Sequence, residues 1–455
     1  MAGQSKLVDA AIRCSCHEYV HPWTASCFCG ACGLFLASIP ASMRTYSIVY
    51  LLALVMKMRI PRLLDLKHTI IGIFKSSAFL STNAYLFTLC VCLLRRLLGG
   101  FHFSTVAFMP TFIGSYAALC IERPARRTPL ALYVANEATE ALWNMLEARG
   151  LVRSIPNGQV LILGCSLTAL LFMYRLGVHK GTVKDATFKA LTILMARGEE
   201  GPVKTPAVTT TQSTCRQPLN FRSISAYVQL YDRMRNAKHP SCPHRQGCGT
   251  YALLGGLKPF VGGVGLQVGL KLLLNITKIV KLKMDWRKQI FNKGSLQLGL
   301  ALGSFSLIFK AISCGLRNVC GHDSASFAIP AGLLGSIGLL QFPNITISLY
   351  VMWKTLQLLY NWGTKAGVLP ELTHFNMILY SACTALLFHC AILEPNSIRS
   401  SYYKFLLTVS GGRTTRFNVR PFEAYGLKSQ NQIFDTIKRL KIDMTSPFPT
   451  MPLTV

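Results

Sequence analysis

Residues 70–94, IIGIFKSSAFLSTNAYLFTLCVCLL, form an apolar run of 25 residues that contains one charge, Lys75, and ends at Arg95-Arg96. A helix needs about 20 apolar residues to cross a bilayer. Residues 101–121 form a second run, which contains no Lys, Arg, Asp or Glu. These two runs predict membrane-spanning helices rather than the core of a soluble domain.

Other apolar runs continue along the chain, and we predict five to six spans in total. They cover residues 160–174, 294–312, 324–353 and 375–393. Pro343-Asn344 interrupts the longest run, which predicts a span, a turn and the start of another helix. Residues 30–56 and 249–270 are apolar but contain charges, so we expect them to be oblique, re-entrant or interfacial.

Composition supports a membrane protein. Hydrophobic residues make up 51% of the chain and charged residues 15%, whereas a soluble chain carries about 25% charged residues. The formal net charge is +30, a balance that nucleic-acid-binding proteins also show. Here the basic residues lie in short clusters between apolar runs, which is typical of membrane orientation and of contact with anionic lipids. We therefore expect membrane lipids, and no nucleic acid, as partners.

Neither targeting nor disulfide bonding is evident from local signals. Residues 1–13 lack the apolar core of a signal peptide, so we expect targeting to reside in the membrane segments. The chain has 16 cysteines, and without a sign of secretion disulfides are not the default expectation.

The sequence contains an internal repeat. Leu132-Tyr133-Val134 returns as Leu349-Tyr350-Val351, and the five residues 168–172 return as residues 384–388 at almost the same offset. We predict an all-α, polytopic transmembrane helical bundle made of two repeats, each with a Cys/His head and three or four spanning helices. The predicted divisions are a first repeat at 1–198, a polar linker at 199–238, a second repeat at 239–412 and a C-terminal tail at 413–455.

The two heads carry candidate metal ligands, and structural zinc is the candidate cofactor. The proposed ligands are Cys16, His21 and Cys27 in the first head and Cys242, His244 and Cys248 in the second. Zinc prefers thiolate and imidazole ligands, and four of them close a structural site. Neither head has a paired CxxC framework, so free or lipid-modified cysteines are the alternative. A single site shared by both heads would also fit.

Glu137 and Glu140 are the candidate residues of a substrate pathway, because an ionisable group at membrane depth is a functional candidate. The alternative, which we favour, is that residues 130–147 lie at the membrane interface with their glutamates in water. Whether this segment crosses the membrane decides whether the repeats are parallel or inverted. The sequence shows no phosphate-binding loop, HExxH motif or nucleophile elbow, so we expect no enzymatic activity.

Several motifs, in order along nearly the whole chain, resemble the transmembrane protein 135 family, also called peroxisomal membrane protein 52. They include Cys16-His17-Glu18, His21-Pro22-Trp23, residues 79–84, Tyr133-Val134-Ala135-Asn136 and residues 399–407. Through its Gly-containing helices, this family is distantly similar to the Tim translocase family of mitochondria.

The resemblance implies residence in peroxisomal and mitochondrial membranes. It also implies roles in the balance of mitochondrial fission and fusion, with a dynamin-related fission GTPase as partner, in peroxisome organisation and in lipid metabolism. One alternative is a transporter or lipid-moving protein with a site at the repeat interface. A second alternative is a protein-translocase-like component, by analogy with the Tim family. The sequence leaves a homo-oligomeric state open.

Overall fold

The computed structural model describes residues 11–55, 62–181, 183, 185–195, 197–202, 238–244, 246–274 and 293–442. Within these ranges the secondary structure is helical, and extended backbone pairs only in an antiparallel bridge between Ile12 and Phe101. The predicted all-α class is confirmed.

Fifteen α-helices are found in the described part of the chain, and we number them in chain order. The first eight are α1 Cys16–Tyr19, α2 Cys27–Val55, α3 Leu63–Leu98, α4 Phe108–Leu119, α5 Pro124–Ala148, α6 Gly158–Leu176, α7 Val178–Gly181 and α8 Ala186–Met195. The others are α9 Cys248–Leu274, α10 Lys293–Cys320, α11 Ala328–Gly335, α12 Ile345–Lys365, α13 Phe375–Leu393, α14 Ser400–Val409 and α15 Ser429–Leu440. Short 3-10 turns join several of them.

Six of the helices are long and apolar enough to cross a membrane. Their apolar spans are Cys27–Leu54, Leu63–Leu98, Gly158–Leu176, Cys248–Leu272, Gly294–Cys320 and Phe375–Leu393. Large apolar side chains on these helices remain exposed, such as Leu51, Leu97 and Val261, as expected for surfaces that face lipid. Three spans fall in each predicted repeat, so the prediction of a polytopic helical membrane protein is confirmed.

Some predicted spans differ from the helices observed. Residues 30–56 and 249–270 were expected to be oblique or interfacial, yet they fall largely within the long helices α2 and α9. Residues 101–121 were expected to form one span but contain only the 12-residue α4. Thr105 accepts a hydrogen bond from the backbone N–H of His102 at 2.8 Å, which holds the preceding residues in a turn instead of a helix.

The predicted break at Pro343-Asn344 is confirmed. The Asn344 side chain accepts a hydrogen bond from the backbone N–H of Ile347 at 3.1 Å and caps α12. Asparagine is a preferred residue at this position because it satisfies a backbone donor that the helix leaves open. Before the break, the apolar run is divided between α11 and a 3-10 turn at Ser336–Gln341.

The chain divides into two compact units. Unit 1 comprises Met1–Ser154 and Leu372–Val455, and unit 2 comprises Ile155–Glu371. These units cut across the predicted repeats, because α6 lies in unit 2 and α13 in unit 1. The contacts follow one order in both: α13 packs on α4 and α5 within unit 1, and α6 packs on α11 and α12 within unit 2. This order agrees with a duplicated origin, which stays a prediction.

Glycines permit close packing of α9 on α10 in unit 2. A Cβ atom added at Gly263 would lie 2.8 Å from the Gly299 Cα, and one added at Gly303 would lie 3.0 Å from the Gly256 carbonyl oxygen. Small residues at such contacts let helix backbones approach closely in membranes. This approach brings the middle of α10 to the helix that starts at the second Cys/His head.

Candidate metal centres and buried charges

The first Cys/His cluster joins three segments of unit 1. Cys16 is the first residue of α1, His21 lies in the turn after it, Cys27 starts α2 and Cys92 projects from α3. A capping box of Ser15 and Glu18 fixes the start of α1. The four ligand atoms lie within 4.8 Å of one another.

The spacing of these atoms suits a tetrahedral metal site. Zn–S bonds of about 2.3 Å and Zn–N bonds of about 2.0 Å place two sulfurs about 3.8 Å apart and a sulfur and nitrogen about 3.5 Å apart. The Cys16 and Cys27 sulfurs are 3.5 Å apart, and the Cys92 sulfur is 3.4 Å from His21 Nε2. The three thiols and one imidazole therefore form a set of ligands that could hold a metal ion.

The second cluster repeats this arrangement in unit 2. Cys242 and His244 lie in the loop before α9, Cys248 starts α9 and Cys314 projects from α10. The Cys242 and Cys248 sulfurs are 3.8 Å apart, and the Cys314 sulfur is 3.3 Å from His244 Nε2. A hydrogen bond with the Cys314 thiol, with a smaller contribution from His244, lowers the pKa of Cys242 despite its burial. Each unit supplies four ligands, so no site shared by both heads is needed.

Backbone carbonyls orient both histidines. His21 Nδ1 is 2.8 Å from the Thr24 carbonyl oxygen, and His244 Nδ1 is 2.6 Å from the Gln246 carbonyl oxygen. A protonated Nδ1 donates to the carbonyl and leaves the Nε2 lone pair toward the thiols, which is how metal-ligating histidines are commonly held. The His21 ring lies so close to α2 that a Cβ added at Gly30 would be 2.9 Å from the His21 Cβ.

All six predicted ligands lie in the two clusters, but the sequence analysis missed the fourth ligand of each. Cys92 follows Cys27 by 65 residues, and Cys314 follows Cys248 by 66 residues. This nearly equal spacing was the signal that could have identified them. The other head residues lie elsewhere: Cys14 is buried in the apolar core and Cys29 is exposed.

A buried charge network in unit 2 was not predicted. Glu199 accepts hydrogen bonds from Arg175 at 2.8 Å and from Arg317 at 2.5 Å, and Asp323 also accepts from both arginines. The Glu199 and Arg317 side chains are 0% exposed. Glu199 stands where the sequence predicted a polar linker, yet it is enclosed. Burial of these charges is tolerated because two guanidinium groups face two carboxylates.

Tyr251 connects the second cluster to this network. Its ring stacks on His244 with centroids 4.2 Å apart, and its hydroxyl donates to Glu199 at 3.2 Å. On α10, Cys314 and Arg317 are three residues apart and share a helix face. The same two helices thus position the candidate metal centre and the buried charges.

Glu137 and Glu140, the candidate pathway residues, are both paired with Arg399 in unit 1. Arg399 donates to Glu137 at 3.1 Å and to Glu140 at 3.2 Å. Burial raises the pKa of Glu137, and the positive charge of Arg399 opposes this effect. The favoured expectation that these glutamates lie in water is wrong for Glu137, which is buried. A role in a substrate pathway stays a prediction.

A cavity of about 490 Å³ lies within unit 1. Its volume is within the range of about 300–1,000 Å³ that is usual for small-molecule sites. Its walls come from α2, α3, α5, α13 and α14, and most of them are aromatic or aliphatic. They include Tyr46, Phe79, Leu80, Tyr380, Phe388 and Leu406. Arg126 is the one charged residue among the described side chains that line it.

Six apolar spans and two three-cysteine, one-histidine clusters define a multi-pass membrane protein with candidate metal centres. Residues 13–146 match the family model of the N-terminal cysteine-rich region of Transmembrane protein 135. The resemblance drawn from the sequence is thereby confirmed, and these residues belong to the cysteine-rich region of the transmembrane protein 135 family. The first cluster lies wholly within the match and the second lies outside it. No solved structure matches the chain, and the similarity to the Tim translocase family stays a prediction.

Replacement of Glu199 by Gln should strongly destabilise unit 2. The change leaves Arg175 and Arg317 to share the single carboxylate of Asp323, and removal of one partner from a buried ion pair costs about 3–5 kcal/mol. Thermal unfolding of the purified protein in detergent should show a much lower midpoint.

The matched control is Glu200→Gln. Glu200 pairs with His179 and Lys180, but its side chain is 26% exposed, so a cost below about 1 kcal/mol is expected. Equal midpoints for the two variants would show that the buried network does not stabilise unit 2.

Proposed function

We propose that this chain is an integral protein of peroxisomal and mitochondrial membranes that regulates the balance of mitochondrial fission and fusion. The observation that carries the proposal is the match of residues 13–146 to the cysteine-rich region of Transmembrane protein 135. The proposed partner is a dynamin-related fission GTPase, and the proposed wider roles are in peroxisome organisation and lipid metabolism. In this account the chain acts as a membrane scaffold without enzymatic activity.

The basic segments are the proposed contact surface for partners and anionic lipids. One such segment contains Lys278, Lys281 and Lys283 and lies outside the described residues. Clustered basic side chains next to a spanning helix attract anionic lipids by about 1 kcal/mol each. They can also attract acidic surfaces of a protein partner.

A rescue experiment tests the regulatory role. Cells that lack the protein should regain short mitochondria, and fission GTPase on them, when the wild-type chain is expressed. Reversal of charge at Lys278, Lys281 and Lys283 should abolish both effects, because the attractive surface becomes repulsive. Mitochondrial length and the membrane-bound fraction of the GTPase are the measurements.

The control in this experiment is Glu140→Gln, expressed at the same level. Glu140 pairs with Arg399 on a partly buried surface and has no proposed contact with partners, so rescue should be retained. Loss of rescue with Glu140→Gln, but not with the lysine variant, would contradict the scaffold proposal.

Zinc is the proposed occupant of both Cys/His clusters. Three thiolates and one imidazole are a common ligand set of structural zinc, which needs no open coordination position. Each cluster ties the segment before a long helix to the side of the next helix. The proposed role of the ion is therefore to hold these segments together, since metal binding to such a set contributes directly to folding.

Metal analysis of the purified protein tests the zinc proposal. We expect two zinc ions per chain in the wild type and one in each of the variants Cys92→Ser and Cys314→Ser, because each removes one of four ligands. Cys29→Ser and Cys320→Ser are matched controls, since both residues are exposed and lie outside the clusters, and they should retain two. A wild type without zinc, or a content unchanged by the cluster variants, would refute the proposal.

Movement of lipid is a second candidate function, and the cavity in unit 1 is the observation that favours it. The cavity is surrounded mainly by apolar side chains, as a site for hydrocarbon requires. The paired acids Glu137 and Glu140 are the proposed groups of the associated pathway.

Reconstitution in liposomes separates this function from scaffolding. Liposomes with the wild-type chain should move a fluorescent acyl-chain lipid faster than empty liposomes, and Glu140→Gln should slow the movement by unpairing Arg399. Movement equal to that of empty liposomes across a broad lipid panel would exclude the second candidate.

A further inference from the structure

The cavity in unit 1 contains an elongated set of polar anchors on an otherwise apolar surface. Arg126 and Asn83 both line it. Arg126 donates to the Ser76 hydroxyl on α3 at 3.3 Å, and Asn83 follows Ser76 by seven residues on that helix. With a rise of 1.5 Å per residue, the two levels are about 10 Å apart along α3. The space between them is long and narrow enough to follow a chain rather than to hold a compact polar molecule.

Arg126 offers a positive charge to this cavity. Its guanidinium lies over the ring of Tyr50 at 4.5 Å and over the ring of Tyr46 at 5.5 Å. These contacts hold the group by cation–π attraction but leave its charge uncompensated. Among the described residues no carboxylate pairs with Arg126, whereas Arg149, Arg175, Arg317 and Arg399 all have such partners. The cavity is therefore electrostatically suited to an anion.

Asn83 shows that the protein does not satisfy the cavity surface by itself. The Asn83 side chain is 3% exposed, and its Oδ1 has no hydrogen-bond partner. A buried acceptor without a donor costs about 1–3 kcal/mol, so a guest or a water molecule that enters with it would be stabilised there. Phe79 and Phe388 supply apolar surface to the same cavity.

We infer that this cavity binds an anionic lipid with a single acyl chain. The negative head group contacts Arg126, and the hydrocarbon chain extends past Phe79 toward Asn83 and Phe388. A carboxylate or a phosphate would suit the guanidinium equally, because both accept paired hydrogen bonds from arginine. The inference names the ligand class for the lipid-moving candidate, but binding does not require movement, so a flux assay and a binding assay can fail independently.

Equilibrium binding to the purified full-length protein in a non-ionic detergent tests the inference. The probes are radiolabelled palmitate, lysophosphatidic acid and hexadecanol, which carry a carboxylate, a phosphate and no charge. Saturable binding of at least one anionic probe is expected, and which anion binds distinguishes a free fatty acid from a membrane lysolipid. Arg126→Gln should weaken this binding about tenfold or more and leave hexadecanol unchanged, whereas Arg126→Lys should retain most of it.

Arg127→Gln is the matched control for charge. Arg127 is adjacent in sequence but donates to the carbonyl oxygens of Glu122 and Cys120 and does not line the cavity, so it should bind as the wild type does. Ala84→Phe fills the cavity from α3 and should abolish binding of all three probes. An unchanged unfolding midpoint identifies folded variants. Binding that is unaffected by both Arg126→Gln and Ala84→Phe, or the lack of saturable binding of either anion, would overturn the inference.

Discussion

In each compact unit, three thiols and one imidazole converge on a point between the segment that precedes a long helix and the side of the next one. The ligands are 65 or 66 residues apart in the chain at their widest intervening gap, so the cluster closes a large loop. Closing such a loop without a cross-link costs conformational entropy that few local contacts could offset. A metal ion held by these ligands would fix the relation of α2 to α3, and of α9 to α10, on which the other contacts of each unit are built.

The buried polar groups follow the same organisation. In unit 2, Tyr251 lies between His244 and Glu199, and Glu199 in turn neutralises two arginines. In unit 1, Arg399 is shared by Glu137 and Glu140. Polar groups in a membrane protein are stable when they are paired with one another. Arg126, which has only aromatic and hydroxyl contacts, therefore differs from the paired arginines, and this difference points to a ligand.

The sequence predicted the features that depend on local composition. The run at residues 70–94 became part of α3, and residues 375–393 became α13, because a long apolar segment must satisfy its own backbone hydrogen bonds in lipid. The six cysteines and histidines of the two heads were identified because thiol and imidazole groups cluster in the chain. The run at residues 101–121 was misjudged because the turn at His102 and Thr105 depends on one side-chain hydrogen bond.

The remaining features depend on contacts between distant residues. Cys92 and Cys314 lie within apolar helices, where a lone cysteine resembles any small core residue. Glu199 and Arg399 meet partners more than 100 residues away, and no periodicity connects them. The exchange of α6 and α13 between the predicted repeats and the compact units is likewise a property of tertiary packing that repeat boundaries do not encode.

X-ray absorption at the zinc edge of the purified protein tests the central claim most directly, since it reports the atoms around the metal. The account predicts bound zinc with an average of three sulfur ligands at about 2.3 Å and one nitrogen ligand at about 2.0 Å. Protein that carries no zinc, or zinc surrounded only by oxygen and nitrogen, would contradict the account.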